Sequence, residues 1–168
     1  KTCAISVSHE LWCWGRTDFE QSSIGPQKFS TPSLDLIQVE VGEGHVCVLE
    51  VVGVAWCQGL NNHGQLGFNS TDSYLSQPFK LRISEPIRTL ELARSHGCAI
   101  TETSNLFCWG DGSAHPSGLP SDIDILEPSF VMSSVAKVSV DGNDVLGGHS
   151  CAITLNGSVA CWGSYDSL

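Results

Sequence analysis

The chain has 168 residues, with 8 Lys and Arg against 18 Asp and Glu, which gives a formal net charge of −10 at pH 7. Binding to nucleic acid needs a basic stripe that displaces counterions from phosphates, so this charge excludes that class of partner. The longest apolar stretch, Val46–Cys57, is interrupted by Glu50 and is shorter than the about 20 residues of a membrane span. We therefore expect no membrane insertion within this segment.

The cysteines reveal an internal repeat. All eight fall into pairs with nine residues between the two members, and the first member recurs at positions 3, 47, 98 and 151, after 44, 51 and 53 residues. Such a period is typical of a propeller blade of about four strands. The pairs are Cys3 with Cys13, Cys47 with Cys57, Cys98 with Cys108, and Cys151 with Cys161.

The last pair shows what the spacing does. A three-residue hairpin turn at Leu155-Asn156-Gly157 would put Gly157 in the left-handed conformation and Cys151 opposite Cys161. Opposed residues have Cβ atoms about 4.5–5.5 Å apart, a gap that strand twist narrows enough for a disulfide. The pattern predicts four stapled hairpins, at 3–13, 47–57, 98–108 and 151–161.

The residues around each pair agree with this register. Side chains alternate between the two faces of a strand, so the cysteine face of each hairpin also carries two apolar residues. These are Ile5 and Leu11, Leu49 and Ala55, Ile100 and Leu106, and Ile153 and Val159.

Two other uses of the cysteines are open. A zinc site needs more ligands than one cysteine pair, and a histidine two residues before the first cysteine could supply one in three units, at His45, His96 and His149. However, the cysteines of zinc sites are usually spaced as C-x2–4-C, which is much closer than in this chain. Reduced cysteine can also pack as a small hydrophobe. Disulfides are favoured over both, and we expect no metal site and no cofactor.

Each hairpin is flanked by recurring elements. An alternating strand and a short polar turn precede it in three units, and Trp-Gly follows it at Trp14, Trp109 and Trp162, with Gln-Gly in the second unit. A variable stretch that contains proline comes next, at Arg16–Pro32, Asn61–Pro78 and Asp111–Pro128. No helical periodicity is present, so the chain is predicted to be all-β.

The stretch "WCQGLNNHGQLGF", residues 56–68, resembles the signature of the regulator of chromosome condensation repeat, and "GHVCVL" resembles the stretch that precedes that signature in the family. The resemblance covers nearly the whole chain as four partial repeats, although only the second keeps the full Gly-Gln-Leu-Gly tail. It implies a β-propeller with blades of four strands, here about half of a seven-bladed ring. The paired cysteines resemble those of extracellular members of the family.

Composition indicates the setting. Eight paired cysteines favour an oxidising compartment, so we expect a secreted or extracellular protein. Two N-glycosylation sequons, at Asn69 and Asn156, lie in predicted loops or turns and suit that location.

The first residue is Lys and the chain begins inside a hairpin. We therefore expect residues 1–168 to be a single propeller segment and a piece of a longer chain. A half-ring leaves blade faces exposed at both ends, so further blades or other subunits would cover them.

No residue pattern predicts an enzyme. The histidines His45, His96 and His149 recur at one repeat position, which favours a structural role because catalytic groups usually break repeat symmetry. The repeat tryptophans suit packing between blades, whereas Trp12 and Trp56 are candidate partner contacts.

We therefore expect a non-enzymatic secreted scaffold that contacts other proteins, as a structural or adhesive subunit of an extracellular assembly. Three further functions remain open: a lectin-like module that binds glycans, an enzyme-inhibitor-like module, and part of a receptor ectodomain.

Overall fold

The computed structural model describes residues 1–15, 23–28, 35–70, 72–113, 115–119, 123–143 and 147–164. Over these residues the chain forms fourteen β-strands and no helix, arranged as four antiparallel sheets of three or four strands. The all-β prediction is confirmed, and each sheet contains one of the predicted hairpins.

The sheets, called blades 1 to 4 here, follow one another along the chain. Blade 1 contains β1 (Thr2–Ile5), β2 (Leu11–Gly15) and β3 (Ser23–Lys28). Blade 2 contains β4 (Leu36–Val41), β5 (His45–Glu50), β6 (Ala55–Leu60) and β7 (Tyr74–Lys80). Blade 3 contains β8 (Ile87–Leu92), β9 (His96–Thr101), β10 (Leu106–Gly110) and β11 (Ile125–Met132). Blade 4 contains β12 (Val135–Asn143), β13 (Gly147–Thr154) and β14 (Val159–Gly163).

Neighbouring strands of a blade are consecutive in the chain, so each blade is an up-and-down meander. In the register of the strands, β1 corresponds to β5, β9 and β13, because each of them carries the first cysteine of a pair. Over the described residues, blade 1 therefore has no counterpart of β4, and blade 4 has none of β7.

The central hairpins have the predicted register. In every blade the two cysteines are directly opposed, with Cα atoms 4.1 Å apart, and they form a disulfide, so no cysteine is free. Each hairpin turns through three residues, and the last of them has a positive φ. These turn residues are His9, Gly53, Ser104 and Gly157.

Two of the variable stretches end in strands rather than in loops. Pro78 lies within β7 and Pro128 within β11, each the outermost strand of its blade. Proline cannot donate to a strand ladder, which explains why it is placed in a strand with one unpaired edge. The first stretch, Arg16–Pro32, contains β3, and all of its other residues, Pro32 included, lie outside the described residues.

The core lies between the blades. Each sheet has a disulfide face, which carries the cysteines, and an opposite face, here called the tryptophan face. The disulfide face of one blade packs against the tryptophan face of the next, three times in succession. The core cluster at each junction contains residues of both blades, for example Leu11 and Val48, Leu49 and Ala99, or Ile100 and Ala152.

The glycine that follows the repeat tryptophan slot is required by close approach of the backbone. Gly59, Gly110 and Gly163 have φ values of 116°, 103° and 114°. A Cβ atom at these positions would lie 2.3–2.5 Å from the carbonyl oxygen of the residue just before the histidine of the same blade. Only glycine fits both the left-handed backbone and this space.

The blade junction yields a stability prediction. Trp109 is fully buried between blades 2 and 3, so Trp109→Ala would leave a large cavity and is expected to lower the free energy of unfolding by about 3–5 kcal/mol. Urea unfolding followed by circular dichroism measures this change. Phe130→Ala is the control, because that ring is 53% exposed and its loss should cost about 1 kcal/mol. Equal losses for the two variants would contradict burial of Trp109 at the junction.

Candidate functional site

The repeat histidines begin the second strand of blades 2 and 3 and occupy the same position in blade 4, but their environments differ. His45 and His96 are buried, whereas His149 is exposed. His45 Nδ1 donates to the carbonyl oxygen of Glu43 at 3.3 Å, within its own blade. His45 Nε2 makes no hydrogen bond within the described residues.

His96 instead reaches the next blade. Its Nε2 lies 3.2 Å from Ser150 Oγ, and that hydroxyl donates to the carbonyl oxygen of Pro116 at 2.7 Å. Because the serine proton is used for Pro116, the imidazole Nε2 is the donor to Ser150. In blade 3 the position equivalent to Ser150 is Gly97, which has no side chain to receive the same bond from His45. The serine therefore explains why one buried imidazole is satisfied and the other is not.

Burial decides the protonation of both histidines. Burial lowers the pKa of His45 to about 4, and Lys1 acts in the same direction. Burial also lowers the pKa of His96 to about 4, although the negative charge of Asp111 opposes the shift. Both imidazoles are neutral at pH 7, which suits structural hydrogen bonding.

Two of the repeat tryptophans join neighbouring blades by the same hydrogen bond. Trp109 Nε1 donates to the carbonyl oxygen of Gln65 at 2.9 Å, and Trp162 Nε1 donates to that of Pro116 at 3.0 Å. Each indole thus binds a turn of the preceding blade. Trp14, the third repeat tryptophan, is partly buried on blade 1.

The turns that supply these two carbonyl groups make the same backbone hydrogen bonds in blades 2 and 3, although their sequences differ. The amide of Gly64 donates to the carbonyl of Asn61, and the amide of His115 donates to that of Gly112. A second bond of the same kind follows three residues later in each turn, at Gly67 and Gly118. The turn conformation of the Gly-Gln-Leu-Gly tail therefore persists in blade 3, where the sequence signature has been lost.

One cluster of potential metal ligands lies where these turns meet. His63, Asp111 and Asp124 each present one ligand atom within 4.8 Å of the others, and all three are partly buried. His63 Nδ1 is 3.5 Å from Asp124 Oδ2. Burial raises the pKa of Asp111, but hydrogen bonds from Ser113 and Ser95 outweigh this effect, so the pKa lies below its ordinary value. As it stands, the cluster is a set of polar side chains that links blade 2 to blade 3.

The sequence interpretation missed this cluster. Its members come from two separate variable stretches, and the stacking of blade 2 on blade 3 brings His63 to the two carboxylates. No spacing rule within one repeat could have grouped His63 with two carboxylates that are about fifty residues or more away.

The two candidate partner tryptophans are in different surroundings. Trp56 packs against the core cluster between blades 1 and 2, and its Nε1 donates to Glu50 Oε1 at 2.7 Å. Trp12 holds the same repeat position on blade 1, where no described blade covers it.

The two sequon asparagines are both exposed. Asn69 has a φ of 65°, and its backbone amide donates to the carbonyl of Leu126. Asn156 lies in the fourth hairpin turn, where its Oδ1 accepts hydrogen bonds from Ser158 N at 3.0 Å and Thr154 Oγ1 at 2.5 Å. Thr71, the third residue of the first sequon, lies outside the described residues.

Similarity to known proteins identifies the repeat. No known family model matches the sequence. Probable E3 ubiquitin-protein ligase HERC4 of Homo sapiens is 28% identical over 145 residues, which are 80% of this chain and 14% of that protein. Ultraviolet-B receptor UVR8 of Arabidopsis thaliana is 31% identical over 144 residues, 79% of this chain and 32% of that protein. Human RCC1 domain-containing protein 1 is 26% identical over 116 residues, 68% of this chain and 31% of that protein.

Solved structures agree. Yeast RCC1 (Prp20), in its crystal structure with Kap60, superposes with a TM-score of 0.79 at 18% identity, over 92% of this chain and 40% of that one. The chain is built from RCC1-type repeats, in a version whose cysteines are paired. Its four sheets are therefore β-propeller blades. The ectodomain of the Arabidopsis thaliana receptor kinase ACR4 superposes with a TM-score of 0.61 at 23% identity, over 96% of this chain and 52% of that one.

These comparisons bound what the RCC1-type chain shares with its relatives. The chain spans about a seventh of the length of HERC4 and about a third of the length of UVR8. The ligase and receptor named for these two relatives are therefore much longer chains than this segment. The shared property is the fold of the β-propeller blades. Within the described residues, no helix is long and apolar enough to cross a membrane.

The buried histidines predict a pH dependence. Their pKa values are lower in the folded chain than the ordinary 6.5, so the unfolded state binds more protons and stability falls as pH drops from 6.5 toward 4. The expected loss is about 2 kcal/mol per histidine between pH 7 and pH 5, measured by urea unfolding at the two pH values.

His45→Gln should reduce this pH-dependent loss by the share of one histidine. Val51→Gln, which alters an exposed side chain and adds no titratable group, should leave it unchanged. If both variants keep the full difference between pH 7 and pH 5, His45 does not titrate as described.

Proposed function

We propose that this chain is a non-enzymatic scaffold that acts outside the cell, as a structural or adhesive subunit of an extracellular assembly. The observation that carries the proposal is that all eight cysteines form disulfides and that each disulfide staples one hairpin. Such bonds persist in oxidising compartments and are rare where glutathione keeps thiols reduced.

The disulfides of blades 2 and 3 are suited to permanent use. Cys47, Cys57, Cys98 and Cys108 are completely buried between blades, so a reductant reaches them only after the blades separate. Disulfides that serve as switches are instead exposed or strained. The similarity to the ACR4 ectodomain supports an extracellular role as well.

Protein contact is the favoured activity. Yeast RCC1 (Prp20) was solved bound to another protein, Kap60, and this supports protein binding as the activity of the present chain. In this chain the turns of the disulfide-bonded hairpins of blades 1, 2 and 4 carry exposed aliphatic side chains, namely Val7, Val51, Val52 and Leu155. Aliphatic groups held on rigid turns lose little entropy when a partner covers them, so they suit recognition of a protein surface.

A receptor ectodomain is the second candidate, and the match to ACR4 favours it over a lectin-like or an enzyme-inhibitor-like module. The structural subunit and the receptor ectodomain differ in where the native protein is found. A subunit of an assembly is recovered from the extracellular matrix or medium in complexes of many copies. A receptor fragment belongs to a chain that partitions with membranes and needs detergent for release.

Thiol labelling tests the extracellular setting. Native protein, unfolded without reductant and treated with a maleimide, should take up no label, because every cysteine is oxidised. The same sample after reduction should take up eight labels and serves as the control. Labelling of most cysteines before reduction would mean a reducing compartment and would refute the proposal.

The sequons give a further prediction for a eukaryotic secretory host. Asn69 should carry glycan to a higher occupancy than Asn156, because the Asn156 side chain is already engaged by two neighbours in a tight turn. Glycopeptide mass spectrometry before and after enzymatic deglycosylation measures both occupancies. Asn69→Gln should remove most of the glycan mass, and a higher occupancy at Asn156 would contradict this ranking.

A further inference from the structure

The cluster of His63, Asp111 and Asp124 lies at the junction of the two central blades. His63 is in the turn that follows β6, Asp111 directly follows β10, and Asp124 directly precedes β11. Each residue presents one ligand atom within 4.8 Å of the other two, and all three are partly buried. The set combines one imidazole nitrogen with two carboxylate oxygens, which is a combination that divalent transition-metal ions accept.

The spacing of two of these atoms is that of metal ligands. His63 Nδ1 lies 3.5 Å from Asp124 Oδ2. A hydrogen bond between nitrogen and oxygen is shorter, at about 2.7–3.2 Å. Two ligand atoms bonded to one tetrahedral zinc ion at about 2.0–2.1 Å are about 3.3–3.4 Å apart. The pair therefore matches two ligands of one ion more closely than it matches a hydrogen-bonded pair.

The backbone fixes the orientation of Asp124. The amide of Gly112 donates to Asp124 Oδ1 at 3.1 Å, which leaves Oδ2 directed toward His63. A Cβ atom on Gly112 would overlap the carbonyl oxygen of Ile123. Glycine at this position thus allows the segment after β10 and the segment before β11 to lie side by side, and it brings the two carboxylates together.

Asp111 is held in the same manner. Its Oδ1 accepts a hydrogen bond from the amide of Ser113 at 2.8 Å, and its Oδ2 accepts one from Ser95 Oγ at 3.1 Å. An ionised carboxylate has about four acceptor sites, so both oxygens can still bind an ion. Carboxylates that ligate metals are typically oriented by hydrogen bonds of this kind.

The turn that carries His63 is anchored to blade 3. The amide of His63 donates to Gln65 Oε1 at 2.8 Å, and the carbonyl of Gln65 accepts the bond from Trp109. The amide of Asn69, later in the same stretch, donates to the carbonyl of Leu126 at 2.8 Å. These bonds hold the imidazole beside the carboxylates without help from an ion, so the ligands are preorganised.

Charge and exposure favour zinc among the divalent ions. Two ionised carboxylates and a neutral imidazole carry a charge of −2, which a divalent ion neutralises. Calcium is bound by oxygen ligands, whereas zinc accepts imidazole nitrogen together with carboxylate oxygen. The side chains of His63 and Asp124 are 45% and 30% exposed, so solvent reaches the site and water can serve as the fourth ligand.

We propose that His63, Asp111 and Asp124 bind a Zn²⁺ ion that joins the variable stretches of blades 2 and 3. This inference goes beyond the scaffold role proposed above, because it concerns a ligand of the chain. Each disulfide connects two strands of one blade, whereas the ion would connect two blades. It would stabilise the folded chain, because the three ligands come together only when the blades are stacked.

Isothermal titration calorimetry of the oxidised 168-residue chain with Zn²⁺ tests the proposal. The chain must be oxidised, because the thiols of reduced cysteines would bind zinc themselves. The expected result is one ion per chain at micromolar concentrations, together with a higher unfolding temperature in the presence of Zn²⁺. Absence of saturable binding overturns the inference and leaves the proposed extracellular role standing.

Single substitutions locate the site. Asp124→Asn replaces the oxygen that faces His63 while its amide oxygen can keep the bond from Gly112, and His63→Gln removes the imidazole from a partly exposed position. Each should weaken Zn²⁺ binding at least about tenfold. Asp72→Asn is the matched control, because it makes the same charge change at an exposed position of the same variable stretch as His63. Equal affinities of Asp124→Asn and Asp72→Asn would overturn the site.

Nuclear magnetic resonance of the histidine side chains identifies the ligand without a substitution. One equivalent of Zn²⁺ should shift the imidazole signals of His63 and leave in place those of His9 and His149, on blades 1 and 4. Equal shifts of all three would mean loose binding to surface imidazoles and would refute the site. A large excess of Ca²⁺ should not reverse the shift of His63, and reversal would contradict the assignment to zinc.

Discussion

The register of the central hairpins is the constraint on which the rest of the structure depends. Each hairpin turns through three residues, and its last turn residue adopts a positive φ, which sets the first cysteine directly opposite the second. A slip by one residue would move every apolar side chain to the other face and separate the two sulfur atoms. The disulfide therefore holds the register that gives each sheet an apolar face to pack, and the stacking of blades follows from it.

Polar bonds then give the stacked blades a defined contact. The carbonyl of Gln65 accepts a hydrogen bond from Trp109, and the carbonyl of Pro116 accepts one from Trp162. Apolar packing alone would let neighbouring sheets slide over each other, whereas a buried indole N–H must keep its acceptor. The turn that supplies the carbonyl is thus part of the interface. This explains why its backbone is the same in blades 2 and 3 although the residues differ.

The fold was predictable from the sequence because its determinants are local. Nine residues between cysteines and the alternation around Leu49 and Ala55 are enough to define a hairpin and its buried face. The interactions between blades were not, because they depend on stacking. The meeting of His63 with Asp111 and Asp124 follows from which blade adjoins which. The turn from Gly112 to Gly118 could not be predicted from the sequence, because it lacks the Gly-Gln-Leu-Gly tail of the repeat signature. Its shape is kept by backbone hydrogen bonds instead.

The locality of the disulfides has a consequence for biosynthesis. Eight cysteines allow 105 pairings, and the native one joins each cysteine to its nearest neighbour in the hairpin, always at a separation of 10 residues. Short loops close quickly, so each bond can form as soon as its hairpin has been synthesised, before the next cysteine pair is made. A chain that oxidises in step with its synthesis avoids the slow reshuffling of mispaired disulfides, and its repeats can increase in number without making oxidation harder.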